Sequence, residues 1–312
     1  MVDRRQMTLG LALGAGAGAM WGLVFLAPEL LPDFGALQLT AGRFVAYGLI
    51  AAILLASRWT SVVKGLSQRD WWVLSLLAAL ANTLYYALLA TAVRLGGIAM
   101  ASLVIGFVPV LVTLIGSRDH DAVPLKQLVP SLLFSLAGAA CIGFEAMSKA
   151  QSEGWQLQAL ALVCAVGALV SWAVFAVQNS RALKRLTSVS SDDWSLLIGV
   201  VTGAQGLILA PFALLLEPSD QALHLWGYFA LVSLGLGLFS SVLGYALWNR
   251  MSRILPLTMV GQMVLFETLF ALIYAFVWAQ RLPSPYEVGA MILVCASVMS
   301  CVRVHGPKPA AH

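Results

Sequence analysis

Residues 7–26 read MTLGLALGAGAGAMWGLVFL. The stretch holds no charge and no proline. Its length is what a helix needs to cross the hydrocarbon core of a bilayer. Glycines stand at 10, 14, 18 and 22, with one more at 16. In water each would weaken a helix by about 1 kcal/mol relative to alanine. In lipid no hydrophobic drive holds helices together, and small residues serve by letting backbones approach closely. Glycines four apart drift by about 40° per step and form a slowly winding stripe. We read this stripe, with Gly14 and Gly18 at its centre, as a packing face. A sharper reading lets the first helix tilt against a neighbour along this flat face.

Outward from this stretch the chain repeats the same composition. Of 312 residues, 60% are hydrophobic and only 10% are charged, with a mean hydropathy of +0.88. Soluble domains carry about 25% charged residues. Ten runs are long and apolar enough to span: 7–26, 36–57, 71–93, 97–117, 125–147, 156–179, 194–216, 225–249, 256–279 and 286–302. They are continuous rather than alternating, which selects helices over a barrel. The predicted fold is an all-α integral membrane protein of ten transmembrane helices, with no room for a soluble domain between them. Arg4 and Arg5 before the first run imitate a signal peptide, but the run is longer than a signal core and nine more follow.

Charge placement orients the chain. With the N-terminus in the cytoplasm, fourteen of the 18 Lys and Arg residues lie inside. Arg94, Lys149 and Arg281 lie outside, and Arg43 falls within a span. Both termini are therefore expected to be cytoplasmic. The net charge of +4 reflects this topology and gives no reason to expect nucleic acid as a partner. Cys141, Cys164, Cys295 and Cys301 lie in apolar spans without metal-ligand spacing, so no metal and no cofactor is expected.

The chain also matches itself. At an offset of 159 residues Tyr86-Ala87-Leu88 meets Tyr245-Ala246-Leu247, Arg94 meets Arg253, Phe107 meets Phe266 and Pro124 meets Pro283. Near the start the offset is 151, which brings Trp21 onto Trp172. The halves are residues 1–150 and 151–303, followed by a tail at 304–312. Each half holds five spans, an odd number, so the second copy enters the membrane from the opposite side. Inverted repeats of this kind are a transporter signature, with the site near the midplane between them.

Several short motifs then carry a resemblance. Trp21-Gly22, Val108-Pro109-Val110, Phe266-Glu267-Thr268 and Val288-Gly289-Ala290 resemble the conserved positions of the EamA-type module of the drug/metabolite transporter superfamily. Thr268 stands where the module has proline, and Ala279-Gln280-Arg281 replaces its Gly-Glu-Arg. Within the superfamily the chain looks most like the bacterial exporters of aromatic amino acids. The resemblance implies a ten-helix basket lined by helices 1, 3, 4, 6, 8 and 9, in the bacterial inner membrane.

On those helices the aromatic candidates for a cavity wall are Trp21, Tyr85, Tyr86, Phe107, Trp172, Tyr245, Trp248 and Phe266. The polar candidates include Asn82, Ser102, Ser241 and Gln262. Rings favour flat apolar side chains, and hydrogen-bonding groups suit the ends of a zwitterion, though both also serve as packing. Glu267 and Arg43 are the intramembrane charges, and such groups are functional by default. Three readings of Glu267 stay open: a hydrogen-bonded neutral carboxyl, a structural partner of Arg43, or a proton or substrate relay. Arg43 alternatively reaches the outer interface. Pro109 interrupts the fourth span and is expected to kink it.

The expected function is a secondary transporter. It would export aromatic or other large neutral amino acids and related small metabolites by alternating access, working as a monomer among membrane lipids. Substrate class and direction rest on the resemblance. A multidrug or cation exporter is the alternative. An intramembrane enzyme is the remote one: no H-E-x-x-H occurs, and no histidine lies where it would serve Ser240 as a base.

Overall fold

The computed structural model describes residues 4–119, 122–147, 155–186, 188–217 and 221–305. Side chains at 94, 96–100, 102–103, 142–143, 145–147 and 155 lie outside the description. Among the described residues every regular element is helical. The first half contains α1 (Arg4–Gly22), α2 (Ala27–Leu30), α3 (Ala36–Leu55), α4 (Trp59–Lys64), α5 (Gln68–Ala78), α6 (Leu84–Ile105), α7 (Val108–Gly116) and α8 (Leu125–Met147). The second contains α9 (Trp155–Arg185), α10 (Ser191–Leu216), α11 (Leu223–Leu236), α12 (Gly244–Ile254), α13 (Leu257–Met263), α14 (Leu265–Ala279) and α15 (Pro285–His305). Eight helical stretches among the described residues are long and apolar enough to cross a membrane, and Leu125–Cys141 is a shorter apolar helix.

Helix starts carry the expected caps. Ser67 Oγ accepts from Asp70 N and the Asp70 carboxylate accepts from Ser67 N, a reciprocal cap at the start of α5. Ser190 caps α10 through Asp193 N. The Glu217 carboxylate comes from a distant part of the chain to accept from Leu37 N and Gln38 N at the start of α3. A negative charge there satisfies orphan donors and complements the helix dipole.

Helix packing pairs the halves. α3 lies along α10, and α8 along α15. α1 packs on α12 and α14, while α9 packs on α6 and α7. The α3–α10 crossing is so close that a Cβ on Gly48 would fall on the Cα of Gly203, and the reverse. Glycine is required at both positions because the two backbones touch. The stripe on α1 behaves similarly. Gly10 faces Leu255, Gly14 faces Met263, and a Cβ on Gly18 would sit 2.7 Å from the Phe266 carbonyl carbon and 2.8 Å from Glu267 N.

One end of the bundle is basic and tied by ion pairs. Arg58 meets Asp193 at 2.9 Å, while Arg181 meets Asp119 and Arg185 meets Asp70, each at 2.8 Å. All three join the first half of the chain to the second. Arg250 is held by both Asp192 oxygens, and Arg253 donates to the carbonyls of Leu183, Leu186 and Val189. The outer ends of the first and last helices reach this same end. Gly10 of α1 packs on Leu255, and His305 Nε2 of α15 lies 2.8 Å from Thr258 Oγ1.

These pairs also bring together two distant parts of the first half. Asp70 and Asp119 bind arginines one helical turn apart on α9, so both lie at one level. The sequence reading placed a turn between its third and fourth spans, at residues 94–96. The backbone differs from it in staying helical there, since α6 continues to Ile105.

Pro109 does not kink a continuous helix. The chain breaks at Gly106 and Phe107, and Pro109 falls in the first turn of α7, where its missing N–H costs nothing.

Candidate functional site

Among the described residues, α-helical backbone gives way at places that fall into two sequence-equivalent pairs. Ala79–Thr83 and Gly237–Leu243 are π-helical. The offset of 159 carries the first of these onto residues 238–242, inside the second. The breaks at Gly106–Phe107 and at Val264 also lie close to equivalent positions. Irregular backbone at membrane depth persists only where protein groups or a lined cavity satisfy it. Here side chains do so. Ser171 Oγ donates to Leu80 O at 2.7 Å, and Gln205 Nε2 donates to Ser75 O at 3.2 Å. Thr83 Oγ1 donates to Gln205 Oε1 at 2.6 Å. Wide turns of this kind are frequent at functional sites.

A group of rings fills the space between these segments. Trp21 of α1 meets Trp172 of α9 edge-on at 6.3 Å, Tyr245 of α12 at 5.6 Å and Trp248 at 5.0 Å. Trp172 also meets Trp248 at 5.5 Å. Tyr47 of α3 stacks on Tyr245 at 5.8 Å with planes 8° apart, and Phe175 closes the group at 6.1 Å from Tyr245. All six rings are buried. Edge-to-face pairs contribute about 0.5–1.5 kcal/mol each beyond area burial.

Toward the basic end, the ring group rests on a polar layer. Trp194 Nε1 donates to Asn179 Oδ1, Asn179 Nδ2 to Asn249 Oδ1, and Asn249 Nδ2 to Ser195 Oγ, over 2.9, 2.7 and 2.8 Å. Tyr47 Oη donates to Ser195 O at 2.7 Å. Buried polar chains of this kind rigidify what they join when every member is paired.

On the other side lies a part-accessible group: Tyr85, Tyr86 and Glu267. Tyr85 and Tyr86 meet edge-on at 5.2 Å. Arg43 is buried, with its guanidinium carbon 4.5 Å from the Tyr86 ring centre and 5.0 Å from that of Phe44. Its Nε has no hydrogen-bond partner. Glu267 lies within electrostatic reach of Arg43, Tyr85 and Tyr245, yet no ion pair within 4.0 Å joins it to Arg43.

The structure thus gathers Trp21, Trp172, Tyr245 and Trp248 in one cluster, with Asn82 bonded to Tyr245 Oη at 3.1 Å. Tyr85, Tyr86, Arg43 and Glu267 stand beside it. Ser241 is buried within the second π segment. The Ser102 side chain lies outside the described residues. Three residues sit elsewhere. Phe107 is 42% exposed. Phe266 lies against α1 and lines a recess of about 330 Å³ with Leu11, Val298 and Val302. Gln262 is turned to α15, where Ser297 Oγ meets its Oε1 at 2.8 Å.

Sequence reasoning missed Tyr47, Phe175, Asn179, Trp194, Ser195 and Thr202. Helical spacing offered a signal for two of them. Trp172, Phe175 and Asn179 follow i, i+3, i+7, and so share a face.

With this geometry described, comparison with known proteins gives its class. The profile of the EamA-like transporter family matches residues 8–144 and again residues 159–303. The chain belongs to the EamA-like transporter family and is a multi-pass membrane protein. It is 29% identical over 317 residues to "Inner membrane protein YtfF" of Escherichia coli (strain K12), covering 97% of this chain and 98% of that one. It also shares a fold, at a TM-score of 0.75 and 19% identity, with a solved chain described as "Crystal structure of protein", covering 94% and 96% of the two.

Proposed function

We propose that this protein exports aromatic or other large neutral amino acids by alternating access, through ten helices arranged as two inverted five-helix repeats. The observation that carries this reading is the ring group of Trp21, Trp172, Tyr245 and Trp248, drawn from both halves and framed by paired irregular backbone. Midplane sites flanked by irregular helices are the transporter pattern, and flat ring walls favour flat apolar cargo.

Several features support the repeat. The family profile matches twice, and the helix pairings of one half are answered in the other: α1 with α12 and α14, α9 with α6 and α7. The basic end is the cytoplasmic end by the positive-inside rule, and the first turns of α1 and the last turn of α15 approach it. The name of the Escherichia coli relative supports residence in an inner membrane.

The ring cluster, its polar layer and the ion pairs lie on the cytoplasmic side of the part-accessible group. That arrangement is a state closed to the cytoplasm. Counterflow of labelled tryptophan and phenylalanine in liposomes, with and without a pH gradient, tests substrate class and coupling together. Exchange lost in Trp21→Ala and Trp172→Ala but retained in wild type supports the reading. Block by quaternary amines without exchange of amino acids favours a cation exporter instead.

A further inference from the structure

We propose that Arg43 and Glu267 are the two poles of a zwitterion site, Arg43 receiving the substrate's carboxylate and Glu267 its ammonium group. The inference rests on the amino acid reading above and deepens it. The first observation concerns Arg43. A charged side chain within a membrane costs roughly 2.5–3.5 kcal/mol at a helix centre on insertion scales, and such groups almost always pair. Arg43 is 6% exposed. Among the described residues no carboxylate lies within 4.0 Å of it and no hydrogen bond holds it, and its Nε is buried and unpaired. Its guanidinium lies over the rings of Tyr86 and Phe44. A ring face attracts the cation without using its N–H groups, so the donors of Arg43 remain unspent. A planar donor edge suits a carboxylate through two parallel bonds.

The second observation concerns Glu267. It lies in the first turn of α14, beside the α1 stripe, because Gly18 admits the backbone there. It feels Arg43 electrostatically but does not touch it. A structural ion pair would close that gap. Instead both charges lie within electrostatic reach of Tyr85 and Tyr245, Arg43 lies over Tyr86, and Tyr245 belongs to the ring cluster. An α-amino acid presents a carboxylate and an ammonium on one carbon, with a side chain leaving from the same atom. The arrangement offers a partner for each: Arg43, Glu267, and the rings around Trp21 and Tyr245.

The same logic assigns selectivity. A polar site rejects a ligand lacking the matching group, because its own buried charge is left unpaired. Removal of either ligand charge then costs more than removal of side-chain atoms.

The test uses purified full-length protein in liposomes and three probes of nearly equal shape: L-tryptophan, tryptamine and indole-3-propionate. Each competes against labelled tryptophan, with leucine, isoamylamine and 4-methylpentanoate as the aliphatic series. Wild type is expected to favour each amino acid over both analogues by about tenfold or more. Arg43→Gln is expected to abolish the preference for tryptophan over tryptamine while leaving tryptamine inhibition within about twofold. Glu267→Gln is expected to abolish the preference over indole-3-propionate instead. Arg43→Lys retains the charge and restores part of the discrimination. A loss of all probes in equal proportion in both glutamine variants, with normal gel-filtration profiles, assigns these residues a structural role and overturns the inference while the amino acid function stands. If wild type takes neither tryptophan nor leucine, the function itself falls. Exchange of labelled tryptamine in that case replaces it with the cation exporter.

Discussion

Tyr245 Oη donates to Asn82 Oδ1, and Asn82 Nδ2 donates onward to Thr202 Oγ1, each over 3.1 Å. Asn82 lies in the first π-helical segment and Tyr245 just past the second. The bond therefore ties together the two places where the backbone departs from regular geometry.

Removing that bond is expected to leave a buried acceptor without a donor. Tyr245→Phe should cost about 1–3 kcal/mol, read as a lower unfolding temperature in detergent. Asn82→Ala removes the acceptor as well, so the double variant is expected to cost at least about 0.5 kcal/mol less than the sum of the single changes. Strict additivity would show that the two residues do not interact.

Close backbone contact makes a sharper prediction about size. Gly48→Ala and Gly203→Ala place a methyl group on the opposing Cα. Each is expected to destabilise by about 1–3 kcal/mol or more, because backbones must separate. Gly227 and Gly235 have nothing within 4 Å of an added Cβ. Gly227→Ala and Gly235→Ala are expected to be neutral or to stabilise by up to about 1 kcal/mol. Monodisperse yield after detergent extraction separates the two classes.

The ion pairs at the basic end predict a gate. Single exposed pairs contribute only about 0.2–1 kcal/mol, but Arg58–Asp193, Arg181–Asp119 and Arg185–Asp70 act across one seam. Asp70→Asn with Asp119→Asn is expected to favour opening to the cytoplasm. Ser180 is 1% exposed beneath this seam. A Ser180→Cys reporter should react with maleimide about tenfold faster in the double variant, and faster in high salt in the parent. Unchanged rates would remove the pairs from any gating role.

Glu217 predicts an effect at the opposite end. Its carboxylate holds Leu37 N and Gln38 N at 3.0 and 3.1 Å. Glu217→Ala uncaps α3 and loosens its seam with α10, with an expected cost of about 1–2 kcal/mol. Hydrogen exchange at the amides of residues 37 and 38 should rise while that of α15 stays unchanged.

Much of this architecture was legible in the chain. The run at residues 7–26 required a membrane helix, and its glycines required a close neighbour, which proved to be α12 to α14. The sequence offset of 151 sets Trp21 against Trp172, and they meet at 6.3 Å. The same correspondence failed for Phe107 and Phe266, which are equivalent in sequence but stand outside the ring group. Asn249 and Gln262 have similar polarity, yet one joins the polar layer and the other turns to α15.

Hydropathy and charge alone determined that the chain is helical, membrane-embedded and basic at one end, because burial in lipid is required of every residue in a span wherever its neighbours lie. Which side chains converge was decided only by the tertiary structure. A helix face is set by its rotation and crossing, and here those depend on contacts such as Gly48 against Gly203, more than a hundred residues apart. Each π-helical turn also shifts the phase of the residues after it by about one position, or roughly 100°. No regular period read along the chain carries that rotation.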